Sequence, residues 1–239
     1  MSPSAAFAVV ATAVTLGALV QGAVGLGLGL VAAPVVTLVD HRLMPDVMLW
    51  LAAFYPLLTL AHEGRHVDWH GLGWAFSGRV PGTVAVVSYV SGGWLGLLVG
   101  VMVLAAVLLT WKVFTLPRRR PVLAGMGVVS GITGTATSIG GPPLALVYQD
   151  VSGPRLRATM GAYFVGGGLL SLGGLAVAHE LDRRSAVWAL GLAPFLLLGF
   201  ALAGLVRRYV DAGRTRAAVL IVCAASAVAL VTRSLIGLA

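Results

Sequence analysis

The chain is predicted to be an all-α polytopic membrane protein built of two inverted repeats. Each repeat is a glycine-rich broken helix or hairpin plus three transmembrane helices, giving about eight hydrophobic segments. Three observations lead there: the composition, the lengths of the apolar runs, and the distribution of the arginines. Of 239 residues, 59% are apolar and 10% charged, and mean hydropathy is +0.97. Soluble domains sit nearer 45–50% apolar and about 25% charged. An ordinary cytosolic enzyme, a disordered chain and a disulfide scaffold are excluded. The single cysteine, Cys223, lies in an apolar run and reads as a small buried hydrophobe. Sixteen Lys and Arg against eight Asp and Glu give a net charge of +8. Most of this charge lies between apolar runs, where it reports membrane orientation rather than nucleic-acid binding.

The apolar runs are 5–38, 46–62, 72–88, 94–111, 122–148, 156–178, 185–206 and 215–236. A transmembrane helix needs about 20 residues. The first run has no basic start and is too long for a signal peptide core, so it belongs to the working protein. Runs one and five, of 34 and 27 residues, are interrupted by glycine and small polar residues. The first carries Gln21-Gly22-Ala23-Val24-Gly25-Leu26-Gly27-Leu28-Gly29, closed by Pro34. The fifth carries Ser130-Gly131-Ile132-Thr133-Gly134-Thr135-Ala136-Thr137-Ser138-Ile139-Gly140-Gly141-Pro142-Pro143. Slid by 109 positions, Gly22 meets Gly131, Gly25 meets Gly134 and Pro34 meets Pro143. The repeats are read as 1–115 and 116–239, one integral membrane domain.

If every run crosses once, fourteen loop cations split seven to seven. If runs one and five are hairpins, Arg65, Lys112, Arg118, Arg119, Arg120, Arg155, Arg157, Arg207, Arg208, Arg214 and Arg216 share one side, and Arg42, Arg183 and Arg184 the other. Eleven to three obeys the positive-inside rule. The second half is then inverted relative to the first, and both termini lie outside the cell.

Broken helices suit an anion. A helix N-terminus exposes unpaired N–H groups and carries about half a positive charge, and glycine lets a ligand approach it. Thr133, Thr135, Thr137 and Ser138 offer hydroxyl donors and Gln21 an amide. All eight acids fall in or beside loops, which speaks against an embedded proton relay or cation site. No cofactor, resident metal or nucleic-acid partner is expected. Close packing of small residues is the competing account of the glycines, and the preferred one for Gly166-Gly167-Gly168. Arg79, eight residues into the third run, reads either as part of a substrate path or as an interfacial residue snorkelling to water.

The segments from Gln21 to Pro34 and from Gly131 to Leu146 resemble the sulfite exporter TauE/SafE family, also called toluenesulfonate uptake permeases. The similarity in layout covers essentially the whole chain. It implies transport of sulfite, sulfonates or related organosulfur anions across the cytoplasmic membrane, an internal duplication and a homodimer. Carried over by position, Gln21, Gly22, Gly25, Gly27 and Gly29 would line one side of the site. Thr133, Gly134, Ser138, Gly140 and Gly141 would line the other, with Pro34, Pro142 and Pro143 shaping the hairpins. Val31-Ala32 stand where the second half has Gly140-Gly141, so the hairpins are expected to contribute unequally.

One motif points elsewhere. His62-Glu63-Gly64-Arg65-His66 matches H-E-x-x-H, with His70 four residues on, and on a helix would suit an intramembrane zinc metalloprotease. Gly64 weakens a helix there, and Trp69 stands where the extended metzincin pattern has glycine. A solvated loop is the preferred reading.

Overall fold

The computed structural model describes residues 2–89 and 116–211. The expected runs 94–111 and 215–236, with Lys112, Arg214, Arg216 and Cys223, lie outside the described residues. Within them there are helices and no strands. Four helical segments are long and apolar enough to cross a membrane: Ser4–Val24, Asp46–His66, Gly153–Val177 and Arg183–Arg207.

Helix α1, Pro3–Val24, opens on Ser2, whose hydroxyl accepts the Ala5 N–H at 3.3 Å, with proline at its first position. It stops at Gly25, whose φ of +100° is left-handed and whose N–H donates to the Gln21 carbonyl at 2.7 Å. Gly27, at φ +150°, completes a turn that only glycine takes without strain. Helix α2, Leu28–Val39, then folds back along α1, so that Val31 and Val35 line an apolar groove with Ala8, Thr12 and Leu16. The hairpin is lopsided. At 1.5 Å per residue its 22-residue arm is about 33 Å long and its 12-residue arm about 18 Å.

Helices α3 (Asp46–Glu63) and α4 (Trp69–Tyr89) follow, with Pro56 and Pro81 inside them. The second broken element is α5 (Arg120–Thr137) and α6 (Gly141–Val147). Here Ser138 takes the left-handed turn at φ +61°, its N–H donating to the Gly134 carbonyl at 2.9 Å. Helices α7 (Gly153–Val177) and α8 (Arg183–Asp211) complete the described chain.

The principal pairings are α1 with α8, α4 with α5, α3 with α7, α3 with α8, and α4 with α7. Exchanging α1, α2, α3 and α4 for α5, α6, α7 and α8 maps this set onto itself. Glycines bring α4 and α5 into backbone contact. A methyl group on Gly82 or Gly131 would run into the Val128 or Arg79 carbonyl, and Gly78 and Gly127 are as close to Ala124 and Ala75.

The loops sort to two ends of the bundle, read from the two ends of α3. At its start, Asp46 accepts the Asp182 N–H at 2.9 Å. At its finish, Glu63 meets Arg157 and Arg207. Just beyond, Asp68 takes a hydrogen bond from Tyr148 Oη at 3.0 Å and lies 3.5 Å from Arg155. Residues 40–46 and 179–184 therefore occupy one end, and residues 63–68 and 148–157 the other.

Candidate functional site

The two turns meet. A methyl group on Gly29 would stand 2.5 Å from the Ser138 carbonyl oxygen, and one on Gly141 would stand 3.5 Å from Leu26 Cβ. The first turn packs Gly22 under the Tyr55 hydroxyl, Gly25 against Arg157 Cα, and Gly27 against Val20. Gln21 is buried, and its Oε1 accepts the Leu28 N–H at 3.0 Å, capping α2 from inside the hairpin. Pro34 lies within α2.

The hydroxyls expected as ligand donors are committed to the protein. Thr133 donates to the Val129 carbonyl at 3.0 Å and Thr137 to Thr133 at 2.8 Å, the back-bond that threonine makes inside a helix. Thr135 is shared between Ser171 at 2.8 Å and Thr83 at 3.2 Å. Ser138 donates to the Pro45 carbonyl at 2.9 Å and Ser130 to Gly140. The helix starts are also poorer in donors than expected. Leu28 is already capped, and Pro142 and Pro143 in the first turn of α6 have no N–H to give. The breaks themselves pair in a different register from the sequence. Gly25 matches Ser138, a slide of 113 rather than 109, so Gly134 is the counterpart of Gln21 and Gly141 of Leu28. Where the first hairpin holds the Gln21 amide, the second has a glycine, and α6 has no side-chain cap.

That space is faced by Arg79. Its side chain is 3% exposed, so it is interior and not snorkelling. Nη1 donates to Ser130 Oγ at 3.3 Å, and Cζ lies 4.7 Å from the Tyr163 ring centroid. Nη2 would be 3.0 Å from a methyl group on Gly134. Gly167 leaves room for the head of the side chain, while Gly166 and Gly168 pack on Phe76 and Ala53. Nε has no acceptor, and no carboxylate pairs with this guanidinium among the described residues. An unpaired buried cation is costly, so the position favours an anion.

The sequence model of the sulfite exporter TauE/SafE family matches residues 9–230, nearly the whole chain. The chain belongs to the TauE/SafE family. No curated protein and no solved structure matches it. Membership places it among membrane permeases for sulfite-type anions.

In this TauE/SafE protein the H-E-x-x-H segment does other work. Helix α3 ends at Glu63, and Gly64–His66 is a 3-10 turn, so the two histidines do not share a continuous α-helical face. His62 Nδ1 lies 2.8 Å from the Leu58 carbonyl. Among the described residues no group of three His, Cys, Asp or Glu could hold a metal. Glu63 instead accepts two hydrogen bonds from Arg157 Nε, at 2.9 and 3.2 Å, and one from Nη2 at 2.7 Å. Arg207 Nη1 lies 3.7 Å from it. Glu63 is tucked against the first break, beside the Gly22 and Ala23 carbonyls that the same two arginines reach.

Outside the helices, burial pushes the Asp68 carboxyl up. Hydrogen bonds from the Gly71 N–H and Tyr148 Oη, with Arg155 and Arg118 nearby, more than offset this and hold it below the usual carboxylate range.

Proposed function

We propose that this TauE/SafE member carries a small oxyanion, sulfite or an organosulfonate, across the cytoplasmic membrane by alternating access. The anion would bind where the two hairpin tips meet, paired with Arg79. Gln21, Gly22, Gly25, Gly27 and Gly29 form one wall of this site; Thr133, Gly134, Ser138, Gly140 and Gly141 form the other. The observation that carries the reading is the Arg79 guanidinium: 3% exposed, beside the second helix break, and without a carboxylate partner among the described residues. The committed hydroxyls move the main recognition charge from the helix start to this side chain.

Two further observations support an inverted pair of repeats. The helix pairings are unchanged when the halves are exchanged. Arg65, Arg118, Arg155 and Arg157 lie toward the Asp68 end, while Arg42, Arg183 and Arg184 lie toward the Asp46 end. By the positive-inside rule the Asp68 end faces the cytoplasm and the N-terminus faces outward. Lipid surrounds the bundle, and a homodimer is part of the proposal.

Proteoliposome uptake tests the reading, with sulfite, thiosulfate, organosulfonates and carboxylates as competitors. Saturable sulfite or sulfonate uptake is expected in wild type, with loss in Arg79→Gln and partial retention in Arg79→Lys. Unchanged uptake by a correctly inserted Arg79→Gln variant sinks it.

A further inference from the structure

At the first break two guanidinium groups converge on one carboxylate. Arg157, 2% exposed, comes from α7 and grips Glu63 in bidentate fashion. Arg207 comes from α8, donates Nε to the Gly22 carbonyl at 2.8 Å, and keeps a buried Nη2 that finds no acceptor among the described residues. Arg157 and Arg207 bring two guanidinium groups to the one carboxylate of Glu63. A carboxylate and a sulfur oxyanion present the same paired oxygens to such a fork. Glu63 is also placed to leave. It is the last residue of α3, and a methyl group on the following Gly64 would meet nothing within 4 Å.

We propose that Arg157 and Arg207 form a second anion station, and that Glu63 is a tethered stand-in displaced by the transported anion. The station rests on the reading of the chain as an anion carrier. It lies by the Gly22 to Gly25 segment, whereas Arg79 serves Gly134 and Ser130. An anion approaching from the Asp68 end exchanges with Glu63 before it reaches Arg79. When no anion is present, Glu63 pairs with both guanidinium groups and holds α3, α7 and α8 together over the end of α1.

The test uses the purified full chain and sodium sulfite at constant ionic strength, read by thermal shift and calorimetric stoichiometry. Arg79→Gln is expected to lose most sulfite binding. Adding Glu63→Gln should restore one site, with at least tenfold tighter binding than Arg79→Gln alone. Adding Arg207→Gln to that double variant should remove the site again. A folded Glu63→Gln/Arg79→Gln protein that binds no sulfite, beside a wild type that does, overturns the station and leaves the Arg79 site standing. A wild type that binds none, beside a Glu63→Gln variant that binds, keeps the station and overturns the transport site at Arg79; if neither binds, both fall. Should the Glu63→Gln proteins not fold, Arg207→Gln in proteoliposomes decides. A KM for sulfite raised threefold or more at similar kcat supports the station, and an unchanged KM overturns it.

Discussion

The Arg79 guanidinium lies in the space that a side chain on Gly167 would fill. One helix carries a long cation and the other, α7, carries nothing at that level. Gly167→Ala is therefore expected to push the guanidinium off Ser130 and the Tyr163 ring. Overpacking of this kind costs about 1–3 kcal/mol. Sulfite uptake should fall with it. In an Arg79→Ala background the same Gly167→Ala change should cost measurably less stability, because no side chain then reaches Gly167. Equal thermal shifts in the two backgrounds would show that the residues are not coupled.

Gln21 separates capping from charge. Gln21→Ala removes the acceptor of the Leu28 N–H and is expected to lower stability by about 1 kcal/mol. Gln21→Glu keeps an oxygen there and should hold stability closer to wild type, yet it places a negative charge on the proposed wall of the anion site. Uptake should drop more than stability. Parallel transport assays and thermal melts check this.

Gly25 and Gly64 form a matched pair. Gly25→Ala forces a side chain to φ +100° and brings a methyl group within 3.0 Å of Arg157 Cα. The backbone strain alone is about 1–2 kcal/mol, and the variant should insert with reduced stability and lose transport. Gly64→Ala, at φ −56° in open space, is expected to be neutral or to stabilise by about 0.5 kcal/mol.

Asp68 sets a pH dependence. Its carboxyl is held below its ordinary value, so its stabilisation is complete above the unfolded pKa of about 3.9 and is lost as the pH falls through the folded value. Wild type should melt above Asp68→Asn near neutral pH, and the gap should close in acid. A gap that does not narrow on acidification would assign the effect to shape rather than charge.

Cysteines introduced at His41 and Asp150, with Cys223 replaced by serine, should react from opposite faces of the membrane. The two residues sit at opposite ends of the bundle, at the exits of the two hairpins. Labelling from one face only would rule out the inverted arrangement.

The positions of the helices were legible because apolar length is a strong signal: the expected run 46–62 is α3 at Asp46–Glu63, and 156–178 is α7 at Gly153–Val177. The first break was legible because a left-handed turn needs glycine, and Gly25 supplies it. The second falls inside the expected Ser130–Pro143 segment, four residues later than the 109-position slide would put it. Helix α5 runs on through Gly134, which serves as packing space, and the turn falls on Ser138, a residue with no sequence mark for that conformation. Arg79 stood out as a charge in an apolar run. Its burial depends on two glycines in other helices, Gly134 and Gly167, which no local pattern connects to it. Glu63 looked like a loop acid beside histidines. What fixes it is the end of α1, reached by arginines from α7 and α8 roughly a hundred or more residues away in sequence.

The glycine seam between α4 and α5 has a mechanical meaning. With Gly78, Gly82, Gly127 and Gly131 seating backbone against backbone, the pair has almost no compressible side-chain layer between its axes. Arg79 rides on one member and the second hairpin on the other, so the charge and its turn travel as a single piece. In the proposed alternating-access cycle the slip plane would lie elsewhere, along the contact between Gly29 and Ser138.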